Sequence, residues 1–258
     1  MENNKPKVIL LVAGEGKRLR PYTLDRPKCM VEINGMSLID MQLTVLKSQQ
    51  LNNIIFIGGY KAEMLKKEKV RLKLNPQYYK TNMVWTLFSA EEELDRDVII
   101  SYGDIIYSKE VLQTLLKSTS NISVIIDKSW ESYWLERNEN PLDDAETLKL
   151  RKDGTISEIG KKPKSIDEIE GQYIGLMKFS AKGVMQMKEV FHNAIKDGEL
   201  LGKSVESSYM TDLLQAMIDN GNKVTAIPIN GNWIEIDEVS DLHLEVTHKR
   251  ITTIQNTF

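Results

Sequence analysis

Apolar residues in this chain come in short runs separated by polar, glycine-rich or helical stretches. The first run, Val8 to Ala13, lies between Pro6 and Gly14 and shows no polar alternation, the pattern of a strand buried on both faces of a parallel sheet. After a basic loop, "MVEINGMSLIDMQLTVLKSQQL" predicts a short strand, an Asn34-Gly35 turn and a helix with Leu38, Met41, Val45 and Leu46 on one stripe. "NNIIFIGGY" reads as a second buried strand. A short charged helix over Lys61 to Lys67, the alternating "KVRLKLN", a helix starting near Asn82 and a third strand in "RDVIISYGD" follow. The order β-loop-α-β-α-β predicts an α/β fold with a doubly wound, mostly parallel, Rossmann-like sheet.

Beyond "SKEVLQTLLKS" and "ISVIID" the pattern loosens into a polar, aromatic and acidic stretch over residues 128–146. "TLKLRKDGTISEIG" then reads as two strands turned at Asp153-Gly154, which predicts a small antiparallel substrate lobe over 128–172. The chain returns to an apolar strand at "YIGLMKFS", two amphipathic helices (Ala181 to Lys196 and Tyr209 to Asn220), the strands "KVTAIPI" and "NWIEID", and a C-terminal helix from Val239. With no repeats or long linkers, the expectation is one domain over 1–258.

Composition narrows the partners. The chain has 258 residues, 41% of them apolar, and 34 Lys and Arg against 37 Asp and Glu, a net charge of -3. No global basic field exists to hold nucleic acid or an anionic membrane, so neither is expected as a partner. A lone cysteine, Cys29, beside eleven methionines fits a reducing compartment. The start "MENNKPK" is polar and the apolar run after it stops too soon for a membrane span or a secretory segment, so the protein is expected to be soluble and cytoplasmic.

Positive charge is instead local. "LVAGEGKRLRPYTLDRPKCM" places Lys17, Arg18, Arg20, Arg26 and Lys28 on a glycine-broken loop after the first strand, with Pro21 and Pro27 to stiffen it. Glycine lets backbone N–H groups approach a phosphate. The spacing fits neither the dinucleotide fingerprint nor the G-x-x-x-x-G-K-[ST] loop. A tight turn with solvated cations is the plain alternative; cations this close, with few acids nearby in sequence, favour an anion among them, and a polyphosphate fits.

In this loop Leu11, Ala13, Gly14, Gly16, Arg18, Leu19, Pro21, Thr23, Pro27 and Lys28 stand in register with L-A-A-G-x-G-x-R-L-x-P-x-T-x-x-x-P-K, with only Val12 departing. The sequence therefore resembles the nucleotidyltransferases that activate sugar phosphates, phosphocholine and phosphonates with nucleoside triphosphates. "GGY" at Gly58 to Tyr60, Asn82, "YGD" ending at Asp104, "YIG" at Tyr173 to Gly175 and "WIEIDEVSDL" from Trp233 extend the likeness along the chain. The last segment is similar to the cytidylyltransferase branch, which acts on phosphocholine, 2-aminoethylphosphonate, phosphoglutamine and related compounds.

The resemblance implies transfer of CMP from CTP to a small phosphorylated or phosphonylated metabolite with release of pyrophosphate. It places the nucleotide against Leu11, Ala13, Gly14, Glu15, Gly16, Gly59, Asn82 and Tyr102. Asp104 and Asp237 are each expected to end an apolar strand, so in a doubly wound sheet both carboxylates can reach the crevice at the strands' carboxyl ends, where hard oxygen donors suit Mg²⁺ as cofactor. Glu235, two positions before Asp237, is the expected third ligand if the strand continues. A helix-capping role for Asp104 is the alternative, although Ser108 is the better cap. Lys17 and Arg18 are expected on the β- and γ-phosphates, and Lys28 on the α-phosphate or the incoming phosphate. A phosphate monoester, with a second pKa of about 6, needs alignment and no base. His192, His243 and His248 are accordingly expected to face solvent.

For the acceptor, "SWESYWLERNENPLDDAE" offers Trp130, Trp134, Arg137 and Glu146 with few apolar neighbours, which favours a binding loop over core. Tyr173 and Trp233 add aromatic faces for a cation, and Arg137 or Lys161 could meet a carboxylate. Quaternary ammonium, primary ammonium and amino-acid acceptors all remain open. The rival readings are a sugar-1-phosphate nucleotidyltransferase and an inactive regulatory homologue. The C-terminal segment "DLHLEVTHKRITTIQ" is a candidate for packing on a second copy as a homodimer.

Overall fold

Strand β1 (Lys7–Val12) is buried at all six positions. Val8, Leu10 and Val12 enter one apolar cluster while Ile9 and Leu11 enter another, so the unbroken apolar run reflects two covered faces. The computed structural model describes residues 5–258; Met1 to Asn4, the start of the polar N-terminal stretch, lie outside the described residues.

After the basic loop come the hairpin β2 (Glu32–Ile33) and β3 (Met36–Ser37), α1 (Leu38–Ser48), β4 (Ile54–Gly58) and β5 (Val70–Leu74). Ser37 caps α1 by accepting from the Asp40 N–H, and Leu38, Met41, Val45 and Leu46 are all buried as the stripe predicts. Where a helix was expected over Lys61 to Lys67 there is one 3-10 turn, Ala62–Leu65, entered through Lys61 in a left-handed conformation. The short α2 (Met83–Phe88) starts at Asn82, whose Oδ1 accepts from the Met83 N–H at 2.8 Å.

The middle of the chain gives β6 (Val98–Tyr102), β7 (Ile105–Tyr107), α3 (Lys109–Lys117), β8 (Ile122–Asp127), α4 (Trp130–Arg137), the hairpin strands β9 (Leu148–Leu150) and β10 (Ile156–Ile159), and β11 (Gln172–Phe179). The chain closes with α5 (Ala181–Asp197), α6 (Met210–Asp219), β12 (Thr225–Ile229), β13 (Trp233–Glu235) and α7 (Glu245–Gln255).

Seven strands form the main sheet in the order β12-β8-β11-β6-β1-β4-β5. All neighbours are parallel except β11, which runs antiparallel to both β6 and β8. The sheet is thus α/β and mostly parallel, with its one reversed strand, β11, third from one edge. Helices α1, α3, α4 and α7 contribute buried residues to one face, and α2, α5, α6 and the β9–β10 hairpin to the other.

The antiparallel hairpin expected within residues 128–172 is present as β9–β10, and α4 and this hairpin pack on opposite faces of the sheet. The C-terminal helix offered to a second subunit instead buries Thr247, Ile251 and Ile254 in its own chain, so its apolar side is already covered. No helix among the described residues is long and apolar enough to cross a membrane.

Candidate active site

The loop leaving β1 is closed on itself by glycine. Gly16 sits at φ +61, and a Cβ there would come within 2.9 Å of the Lys28 Cβ, so both conformation and space require glycine. Its carbonyl accepts from Thr23 Oγ1 at 2.8 Å and from the Leu19 N–H at 2.9 Å, while fully buried Leu19 anchors the turn. Gly14 differs: a Cβ would meet no protein atom within 4 Å, and the open space belongs to a cleft at the carboxyl ends of β1 and β6.

The cleft is walled by Leu11, Ala13 and Gly14 from the β1 exit, by Asn82 at the start of α2, by Tyr102 at the end of β6, and by Lys28 and Asp104. Three expected nucleotide contacts lie elsewhere. Gly59 is a packing glycine, since a Cβ would fall 2.5 Å from the Tyr78 Cβ and 2.8 Å from the Ala13 oxygen, and Gly16 packs on Lys28. The Glu15 carboxylate holds Arg20 at 3.3 Å and Lys17 at 3.4 Å. Sequence reasoning missed Tyr78, Thr81, Met83, Thr86 and Gly103 in this wall. Only the nearness of Asn82 could have signalled the Thr81–Thr86 group.

The loop is also less bare than its charge suggested. Each of its five basic side chains has a carboxylate within 3.4 Å: Glu15 for Lys17 and Arg20, Asp25 for Arg26, and Asp237 for Arg18. Lys28 carries the tightest pairing, with Nζ donating to Asp104 Oδ2 at 2.7 Å and Asp237 Oδ1 at 2.6 Å. Burial works against the Lys28 charge, but the two flanking carboxylates outweigh it and raise its pKa. Asp237 is likewise held below the usual carboxylate range, against burial, by Lys28 and Arg18.

Asp104 does not end a strand; it sits in the turn between β6 and β7. A separate two-stranded ladder brings the carboxylates together. Residue Glu235 of β13 pairs with Ile105 of β7, and the Ile236 N–H donates to the Asp104 carbonyl at 3.0 Å, setting Asp237 beside Asp104. The strand stops at Glu235, yet Glu235 and Asp237 line the same cleft, and burial together with the nearby Asp237 charge raises the Glu235 pKa. Its Oε1 accepts from an Arg137 N–H. No group of three or more His, Cys, Asp or Glu among the described residues is arranged to hold a metal ion.

Arg137 is not free to meet an acceptor. Its guanidinium forks onto Asp241 at 3.0 and 3.2 Å and stacks over Tyr133 and Trp134. Asp241 Oδ2 in turn accepts from the N–H of Asp237 at 2.7 Å and of Glu238 at 3.0 Å. The stretch read as a binding loop is helical, with Trp130, Tyr133, Trp134 and Arg137 at i, i+3, i+4 and i+7 on its inner face. Trp130 is core, and fully buried Trp233 donates its Nε1–H to Asp127 Oδ2 at 2.8 Å.

A second cleft adjoins the first at Met83 and Tyr102 and reaches Asp237. Of the expected acceptor residues it contains Trp134, Glu146 and Tyr173, together with unexpected Gln172, Tyr209 and Thr211. Lys161 lies in the shallow groove beyond Glu146 and pairs with Glu158 at 2.7 Å. No histidine lines either cleft: His192 and His243 are exposed, and half-buried His248 bonds to Asn34 and the Leu242 carbonyl.

This geometry matches known proteins. The MobA-like NTP transferase domain aligns with residues 8–141. A CTP:phosphoglutamine cytidylyltransferase of Campylobacter jejuni is 42% identical over 249 residues, 92% of this chain and 98% of that protein. Among solved structures, CTP:phosphocholine cytidylyltransferase from Streptococcus pneumoniae superposes with a TM-score of 0.70 at 22% identity, covering 95% of this chain and 99% of that one. The inositol-1-phosphate CTP transferase from T. maritima gives 0.75 at 18% identity, covering 99% and 98%. A glycine loop facing an open cleft, a matching domain over more than half the chain and a relative aligned nearly end to end lead to one conclusion: the protein belongs to the MobA-like NTP transferase family of nucleotidyltransferases.

Proposed function

We propose that this protein is a cytidylyltransferase that transfers CMP from CTP to the phosphate of a small amino-acid- or amine-bearing metabolite of the phosphoglutamine class. The observation that carries this reading is the nearly full-length 42% identity to a CTP:phosphoglutamine cytidylyltransferase. The two adjoining clefts, one at the glycine loop and one beyond Asp237, supply separate places for nucleotide and acceptor.

In the reaction an acceptor phosphate oxygen forms a bond to the CTP α-phosphorus, the α–β bridging P–O bond breaks, and its electron pair leaves with pyrophosphate. Already anionic near neutral pH, the attacking oxygen needs alignment, in keeping with clefts that hold no histidine. The open backbone face at Gly14 receives the triphosphate. Lys28, at the junction of the clefts, meets charge at the α-phosphate, and Arg18 and Lys17 at the loop rim meet the leaving pyrophosphate.

Asp104 and Asp237 fit Mg²⁺, which binds through one or two carboxylates with the rest of its shell from phosphate and water. Once bound it would neutralise phosphate charge. A pyrophosphate-release screen of the four nucleoside triphosphates against phosphoglutamine, phosphocholine, 2-aminoethylphosphonate and sugar 1-phosphates tests the reading. Release is expected with CTP and phosphoglutamine; release with a sugar phosphate and none with the amines overturns it.

A further inference from the structure

Most charged groups of the second cleft already have partners. Glu235 is held by Arg137, and Asp237 by Lys28 and Arg18. Among the described residues Asp144 and Glu146 have none; Asp144 is exposed to solvent, whereas Glu146 is the one set into the protein. The Gln172 amide clasps its backbone, donating to the Glu146 carbonyl at 2.7 Å and accepting from its N–H at 3.4 Å, which fixes the residue just ahead of β9. Nothing among the described residues donates to its carboxylate. Lys203, the nearby cation, is bonded to Asp212 Oδ1 at 2.7 Å, and Asp212 and Asp144 add negative charge. Burial foremost, and then these two carboxylates, push the Glu146 carboxyl up to about 7.

A partly buried carboxylate without a donor is costly unless a ligand completes it. The charge around it selects a cation. A primary ammonium brings both charge and N–H donors, whereas a quaternary ammonium brings charge alone and leaves the oxygens unbonded. Trp130 and Trp233 are core and Arg137 lies over the ring of Trp134 at 5.5 Å, so the aromatic faces left in the cleft are those of Tyr102, Tyr173 and Tyr209, which give a cation no hydrogen-bond acceptor to match the Glu146 carboxylate.

We propose that Glu146 is the specificity-determining residue that receives the primary ammonium of the acceptor, in the cleft whose inner end is Asp237. The inference rests on the reading that the acceptor is an amine-bearing phospho-compound. Glu146→Gln preserves shape and removes the charge. With CTP, the wild type is expected to prefer phosphoglutamine over its desamino analogue by about 10- to 100-fold in kcat/KM, expressed mainly in KM. In Glu146→Gln the preference falls to within about threefold, and Glu146→Asp, which keeps the charge one methylene back, retains an intermediate preference. CTP binding by calorimetry verifies that each variant is folded. An undiminished preference in Glu146→Gln overturns the assignment of Glu146 alone. Turnover by the wild type with other acceptors but not phosphoglutamine overturns it together with the reading beneath it.

Discussion

At Lys28 a single ammonium lies within 2.7 Å of both Asp104 and Asp237 and helps to neutralise both, with Arg18 adding a second cation on Asp237. Changing Asp104→Asn removes one charge while keeping an oxygen toward Lys28. Turnover is expected to fall by about 10²–10³-fold. The melting temperature should move by only a few degrees, so kinetics beside a thermal melt separate the site from the fold. Glu146 has the opposite balance. Its folded pKa of about 7 stands above the ordinary value of 4.5, so between those values the folded state binds the proton the unfolded state has lost. Stability from this group is therefore full at acid pH and is lost as pH rises through 7. The drop in melting temperature of the free protein between pH 5 and 8 should be smaller in Glu146→Gln. Asp144, Asp212 and Lys203 act on the same carboxylate, while neighbouring Tyr102 and Tyr173 stay protonated throughout because burial raises both.

Among the elements, the β1 exit loop separates two uses of glycine. Gly16 is needed by the protein itself, for its positive φ and for the close approach of Lys28; Gly14 has space around it. A Gly16→Ala change should destabilise by about 1–3 kcal/mol through backbone strain and displace Lys28. Gly14→Ala should leave the denaturation midpoint nearly unchanged yet weaken CTP binding at least tenfold, because its methyl projects into the cleft. Urea denaturation with CTP calorimetry distinguishes the two. Helix α4 shows how an element can be misread. Its inner stripe of Trp130, Tyr133 and Trp134 ends in Arg137, and the polar residues between them hide a core-facing helix within a sequence that looks like a loop.

Across the whole molecule, Arg137 joins α4 to the segment that carries Asp237. One guanidinium bonds Glu235 and Asp241, and Asp241 fixes the Asp237 N–H. Arg137→Met keeps much of the stem but leaves two carboxylates in low dielectric without their cation. A loss of about 3–5 kcal/mol is expected in chemical denaturation. In variant protein that remains folded, kcat should fall more than the KM for CTP changes, since the loop that moves carries Asp237 and not the glycine loop.

The glycine loop, the buried strands and the class of the sheet were legible in the sequence because they depend on local pattern. An unbroken apolar run requires two covered faces, and a motif spanning Leu11 to Lys28 is continuous along the chain. Asp104 and Asp237 were also visible as strand-end acids, but their meeting was not. It is made by the β7–β13 ladder between segments more than a hundred positions apart, and the pairing of Glu235 with Arg137 spans a similar distance along the chain. Which cations stay open and which close on carboxylates was equally hidden, since pairing depends on distance in space. What the sequence alone determined is the glycine-broken basic loop and the layered sheet beneath it. Only the tertiary structure decided that Arg137 and two tryptophans serve the core while Glu146 is left facing the second cleft without a partner, because burial and partnership belong to the packed molecule.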